Sequence, residues 1–378
     1  MIVDCTVMRS HSDKLIKLEA IRGFAATYVA IGHIVKKTLI ISGINFAYIF
    51  RFGQEAVILF FILSGIVMQY SFARAGNYSF SHFFLKRFLR IYIPLFFIFL
   101  ANYGILIITE NTQVSVSWPE LVGNIAMLQD YGGVKVGILF GPFLGNLPLW
   151  SLSYEWWFYF IFFYLYTKFG KMSGLYAYSI SILAAISYFF YPTFIGRVFM
   201  YLSIWWIGAD IGLLYFQGKD IFLKTLLMPL ASILCVTIIL TINFYFNGTK
   251  TAAILHDSGF GVSPILELRH FLFVLFIIPI SLLWKSFGWV GFNMIFGIFG
   301  RIAPISFALY ISHWFLVANA NYLDNIITNK PIQISAYIII CVGFSYLVER
   351  RIYPTINHIV MNKVYKQHNL NEIAILGQ

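Results

Sequence analysis

Arg22 and His33 lie eleven residues apart in the first long apolar run of the chain. Read as helix at about 100° per residue, eleven residues return to within roughly 20° of the same face. The two side chains then share one stripe, roughly 16 Å apart along the axis. An Arg and a His on one face of a membrane helix cost free energy, and such residues mark function. Two further ionisable groups, Glu155 and His313, also fall inside apolar runs. A His with a carboxylate partner is suited to general-base work at a hydroxyl, because the carboxylate fixes the tautomer and stabilises the imidazolium. Arg87 and Arg90, three residues apart, share a helix face. Guanidinium groups at a mouth suit a polyanionic phosphate ligand, which they grip in bidentate fashion.

The elements that must position these residues are membrane helices. Of the 378 residues, 60% are hydrophobic, 19% aromatic and only 11% charged. A soluble domain carries about 25% charged residues, so the solvent for most of this chain is lipid. The fold class expected is all-α, a polytopic bundle of about ten spans near 18–40, 53–73, 89–109, 149–167, 174–192, 195–217, 225–246, 265–284, 302–320 and 332–350. A cytoplasmic segment (1–17), a membrane domain (18–354) and a cytoplasmic tail (355–378) complete the division. The first segment has no apolar stretch with a cleavage site, so the first span itself directs insertion. Residues 286–300 are apolar but short and read as a re-entrant or interfacial piece. Residues 110–148, punctuated by Pro and Gly, read as a long loop with partial helix.

The formal charge of +11 fits membrane orientation better than nucleic acid. With the N-terminus inside, eighteen of the 26 Lys and Arg residues fall on the inner side, which places both termini in the cytoplasm. Cys5, Cys235 and Cys341 form no disulfide framework and no metal-ligand spacing. Span position then sets depth. His33 and His313, each about seven residues from an outer helix end, and Glu155, about six residues into the fourth span, converge on one layer roughly 10 Å below the outer surface. Arg22, Arg87 and Arg90 gather at the inner end. A phosphate-rich donor held below could extend a thin arm along the Arg22–His33 stripe; coenzyme A has that shape, although geometry alone permits it without identifying it. Ser64 and Ser153 read as helix-packing residues. Asp210 reads as the partner of an inner Arg, and Glu55 as a solvated or capping residue.

Several stretches resemble membrane acyltransferase family 3, the sugar O-acyltransferases of bacterial envelopes. Leu18-Glu19-Ala20-Ile21-Arg22-Gly23 followed by Gly32-His33 is similar to the family's opening. Phe60-Phe61-Ile62-Leu63-Ser64-Gly65 resembles its second helix, and Arg87-Phe88-Leu89-Arg90 with Pro94 its Arg-x-x-Arg stretch. Trp150-Ser151-Leu152-Ser153-Tyr154-Glu155, then Leu309-Tyr310-Ile311-Ser312-His313 and Glu349, follow in family order. Glu19 stands where Asp is commoner, and Phe315 replaces a frequent Pro. The resemblance implies acyl transfer, most often of acetyl from acetyl-CoA, to a hydroxyl of O-antigen, capsule or another glycoconjugate at the bacterial inner membrane. It makes His33 the essential His, acting as general base or as nucleophile, and Arg22, Arg87 and Arg90 the donor-binding arginines. Glu155 and His313 are expected to orient His33 or the acceptor. The partners implied are acyl-CoA, a glycan or lipid-linked sugar, and membrane lipid. Two rival readings are a flippase for lipid-linked sugars and a subunit that delivers acyl groups to a partner protein.

Overall fold

The computed structural model describes residues 5–35, 40–41, 44–76, 79–110, 115–256 and 259–376. Thirteen α-helices carry the described chain: α1 (Cys5–Val35), α2 (Gly53–Ala75), α3 (Phe80–Glu110), α4 (Trp118–Ile125), α5 (Leu149–Phe169), α6 (Ser173–Phe190), α7 (Phe194–Phe216), α8 (Leu227–Leu255), α9 (Ile265–Ser286), α10 (Phe292–Phe296), α11 (Ser306–His313), α12 (Lys330–Tyr346) and α13 (Tyr353–Leu376). A two-residue antiparallel pair, β1 (Ile40–Ile41) and β2 (Ile44–Asn45), follows α1. The protein is an all-α, multi-pass membrane bundle. By length and apolarity alone, eight helical stretches can cross a membrane, or nine if the bent pair Phe292–Arg301 and Ala303–Ala318 is one span.

The stretch from Leu149 to Phe190 is not a single rod. Tyr154 near the start of α5 and Tyr188 near the end of α6 both bond Arg197 of α7, at 3.2 and 3.4 Å. In a straight helix those tyrosines would stand about 50 Å apart. The chain therefore reverses between α5 and α6, where Gly170 takes a left-handed φ of 51° that a side chain would resist.

The centre of the bundle is the α2–α7 seam. A Cβ on Gly65 would lie 2.1 Å from the Trp205 carbonyl oxygen, and one on Gly208 would lie 2.1 Å from that of Ile62. Only glycine permits this approach, and in lipid such packing supplies the association that apolar burial cannot. Phe61, Tyr154, Phe158, Tyr201 and Trp205 fill the core beside it.

Several boundaries differ from those expected. The helix α3 starts at Phe80 rather than 89, so Arg87 and Arg90 lie in its second and third turns. Basic residues at an interface lower hydropathy without breaking helix. The first helix ends at Val35 instead of reaching 40, which moves His33 into its last turn. The polar stretch from 355 is helical to Leu376, within α13. Residues 292–301 form a short irregular helix packed on α1, where a Cβ on Gly23 would lie 2.0 Å from the Phe299 carbonyl oxygen.

Candidate active site

A cavity of about 370 Å³ lies between α1, α2, α3, α5, α11 and α13. Arg22 comes to it from α1, Arg87 and Arg90 from α3, and Ser64 from α2. Glu155 and Tyr159, one turn apart on α5, form the facing wall, and Phe60 and Tyr310 stand in the lining as well. The three arginines singled out by spacing are thus brought together around one chamber.

The arginines are not equivalent. Arg90 is ion-paired with Glu349, whose side chain is 2% exposed and whose other oxygen accepts the Ala308 amide at 3.2 Å. Phe307 and Tyr353 flank the Arg90 guanidinium at 5.1 and 5.0 Å. Arg22 has Glu19 at 3.7 Å in a partly exposed i,i+3 pair. The Arg87 guanidinium lies 5.6 Å from the centre of the Tyr159 ring, and its Nε is buried with no hydrogen-bond partner among the described residues. A buried donor without an acceptor is costly, and an anion in the cavity would relieve it. Arg87 fits a phosphate best, Arg22 has capacity to share, and Arg90 is already neutralised.

Glu155 belongs to this chamber and not to a layer with the histidines. Its Oε1 accepts from Ser64 Oγ at 2.7 Å and from the Tyr159 hydroxyl. Trp205 Nε1 donates to the same Ser64 Oγ at 3.3 Å. No hydrogen bond joins Glu155 to His33 or His313 among the described residues. Counting residues along a span estimates depth but not azimuth or tilt, and those assign Glu155 to Ser64.

The histidines do come together. The rings of His33 and His313 stack at 5.3 Å with 28° between their planes, and Trp314 meets His33 edge-on at 5.1 Å. His313 is fully buried, while His33 is exposed. His313 Nδ1 lies 2.5 Å from the Tyr310 carbonyl oxygen, which can only accept. The proton therefore sits on Nδ1, and Nε2 presents a lone pair that has no partner among the described residues. A π-helical turn, Trp314–Ala318, begins directly after His313, and a second, Leu347–Ile352, contains Glu349. Such widened turns re-aim side chains and are frequent at functional sites.

Neither histidine lines the cavity. Tyr310 stands between. Its ring lies 5.3 Å from Phe60 and 6.0 Å from His313, and its hydroxyl is held by Ser151 at 2.9 Å. The arginine-lined cavity does not extend to the histidines, and Tyr310, in its lining, is the side chain that also meets His313. Tyr310 was read as part of a motif without a role; an aromatic gives no sequence signal of where it blocks a path.

A second polar cluster escaped the sequence reading. Asp130 accepts from Lys135 Nζ at 2.8 Å, from Tyr154 at 2.6 Å and from Arg197 Nε at 3.1 Å, all fully or nearly fully buried. Burial alone would raise the Asp130 carboxyl, but Lys135 and Arg197 outweigh it and hold it below the usual carboxylate range. The cluster ties the loop after α4 to α5 and α7. Arg197 sits in the first turn of α7, at the start of the span expected over 195–217. Glu55 is buried and ion-paired with Arg269 rather than solvated, and Asp210 takes its hydrogen bond from Tyr178 at 2.6 Å rather than from an inner Arg.

A family model described as an acyltransferase domain matches residues 15–350. No curated protein and no solved structure matches the chain.

Proposed function

The chain belongs to this acyltransferase family, and from that premise we propose that it transfers an acyl group, acetyl from acetyl-CoA, to a hydroxyl of a cell-envelope glycan at the bacterial inner membrane. The observation that supports this most is the division of labour along α1. Arg22 faces a cavity shared with Arg87 and Arg90, and His33 at the far end of the same helix stacks on His313.

In this reading the arginine end faces the cytoplasm, where the excess of Lys and Arg belongs. Arg87 and Arg22 take the donor's phosphates. Arg90, paired with Glu349, shapes the wall beside them. The narrow arm of the donor runs toward Tyr310, and the acyl end meets the histidines when that side chain yields.

His33 is exposed and has no hydrogen-bond partner among the described residues, so its ring is open to an acceptor from outside. It takes the proton of the acceptor hydroxyl as the oxygen attacks the thioester carbonyl. The C–S bond breaks, the acyl group passes to the oxygen, and the CoA thiolate leaves to recover a proton. His313, with Nδ1–H fixed on Tyr310, holds the His33 ring by stacking. Glu155 orients Ser64 and Tyr159 along the donor's path.

The test is incorporation of radiolabelled acetyl from acetyl-CoA into a defined glycan by purified protein, comparing wild type with His33→Ala at matched expression. A covalent product that disappears in the variant supports the reading and excludes a flippase. Undiminished incorporation removes His33 from the mechanism.

A further inference from the structure

A second cavity, of about 210 Å³, lies on the other side of α1 and α2 from the first. Its walls are apolar: Leu59, Ile62 and Ile66 of α2, Ile211 of α7, and Ile277 and Ile278 of α9. Its rim is different. Lys17 from α1, Lys219 beyond α7 and Lys285 from α9 stand at one end, with Asp220 as the single acidic residue in the lining. Along α9 the lining runs from Ile277 to Lys285, eight residues and about 12 Å. The chamber is therefore dry for about two helical turns and cationic at one mouth.

Charge at that mouth is not balanced from within. Lys285 has Asp220 at 3.6 Å and donates to the Ile221 carbonyl at 3.3 Å. Lys17 and Lys219 have no acidic partner among the described residues; the Lys17 ammonium lies 5.9 Å from the Phe292 ring. A free phosphate has no use for the apolar depth, and an uncharged lipid has none for the lysines. An amphiphile with an anionic head and an aliphatic tail matches both ends at once.

We propose that this chamber holds one acyl chain of an anionic phospholipid, with its phosphate between Lys17, Lys219 and Lys285. The lipid comes from the leaflet on the lysine-bearing face. Leu18 and Leu63 line both cavities, so the lipid chain packs against the wall of the arginine-lined chamber. The proposal needs no acyl transfer and stands apart from the function assigned above.

The experiment uses full-length protein in phosphatidylcholine nanodiscs doped with a photoactivatable phosphatidylglycerol, with the labelled peptides located by mass spectrometry. Labelling is expected within 59–66, 211–221 or 277–285. It should weaken about fivefold for each lysine removed in Lys17→Gln and Lys219→Gln, and fall further in the double variant. Filling the chamber by Ile277→Trp should remove it; where that variant fails to fold, the two lysine substitutions decide alone. Equal labelling by a photoactivatable phosphatidylcholine, labelling confined to other surfaces, or indifference to both lysine substitutions would each overturn the proposal.

Discussion

Arg90 and Glu349, 259 residues apart in the chain, form an ion pair that ties α3 to the π-helical turn between α12 and α13. Arg87, one turn earlier on α3, has no such partner among the described residues. Two arginines in one short motif thus carry different tasks, one holding the wall and the other facing the space within it.

That difference is measurable. Arg90→Ala strands a nearly buried carboxylate and should cost about 2 kcal/mol of stability, since hydrogen bonds to charged groups are worth 1.5–3 kcal/mol. The melting temperature in detergent should fall. Arg87→Ala should leave melting unchanged and weaken binding of a CoA analogue at least tenfold, the loss of one charge-assisted contact. Equal melting losses for the two variants would refute the distinction.

Tyr310 lines the cavity and lies beside His313, so its removal should open the cavity toward the histidines. Tyr310→Ala is expected to release CoA from acyl-CoA severalfold faster without glycan, because water then reaches the thioester. Tyr310→Phe keeps the ring and loses only the hydroxyl's bonds to Ser151 and the Pro148 carbonyl, and should stay tightly coupled. CoA release by the Ala variant at the wild-type rate would show that the side chain is no barrier.

His313 donates from Nδ1 and offers a lone pair at Nε2. Asn places an amide donor near the Nδ1 position, so His313→Asn should keep the bond to the Tyr310 carbonyl and the melting temperature. It removes the ring that stacks on His33, and transfer should drop with little change in donor affinity. Full activity would exclude the stack from the reaction.

Asp130 is the shared acidic partner of Lys135 and Arg197 in a buried site. Asp130→Asn leaves two buried cations short of one charge and should destabilise the protein by about 3–5 kcal/mol. The same pairing has a pH signature. The folded-state carboxyl titrates below its ordinary value of 3.8, so its stabilisation is whole above that pH and is lost as pH falls beneath it. Thermal melting followed from pH 7 to pH 3 should show a steeper acid loss in wild type than in the Asn variant.

Composition and short-range pattern were enough for the bundle, because hydropathy is summed over about twenty residues and tolerates local error. The pairing of Arg87 with Arg90 was equally readable, since helix geometry alone puts them on one face. Glu155 was misplaced for the opposite reason. Its partners, Ser64 at 2.7 Å and Tyr159, depend on how α5 rolls against α2, which no local pattern encodes. The described part of α1 ends at Val35, and Ile34 and Val35 are as apolar as the turns before them, so hydropathy does not mark that boundary. Tyr310 was invisible as a barrier, since blocking a path is a property of three helices at once.

The glycine seam limits how the enzyme can move. Where Gly65 and Gly208 let two backbones touch, sliding or rotation would drive main chain into main chain, so α2 and α7 form a keel. Phe60, Phe61 and Ser64 ride on that keel and are stationary walls of the chamber. Whatever opens to admit a donor or swing Tyr310 aside is then carried by the other walls of the chamber, among them α1, α3 and α11, the helices that bear Arg22, Arg87 and Tyr310.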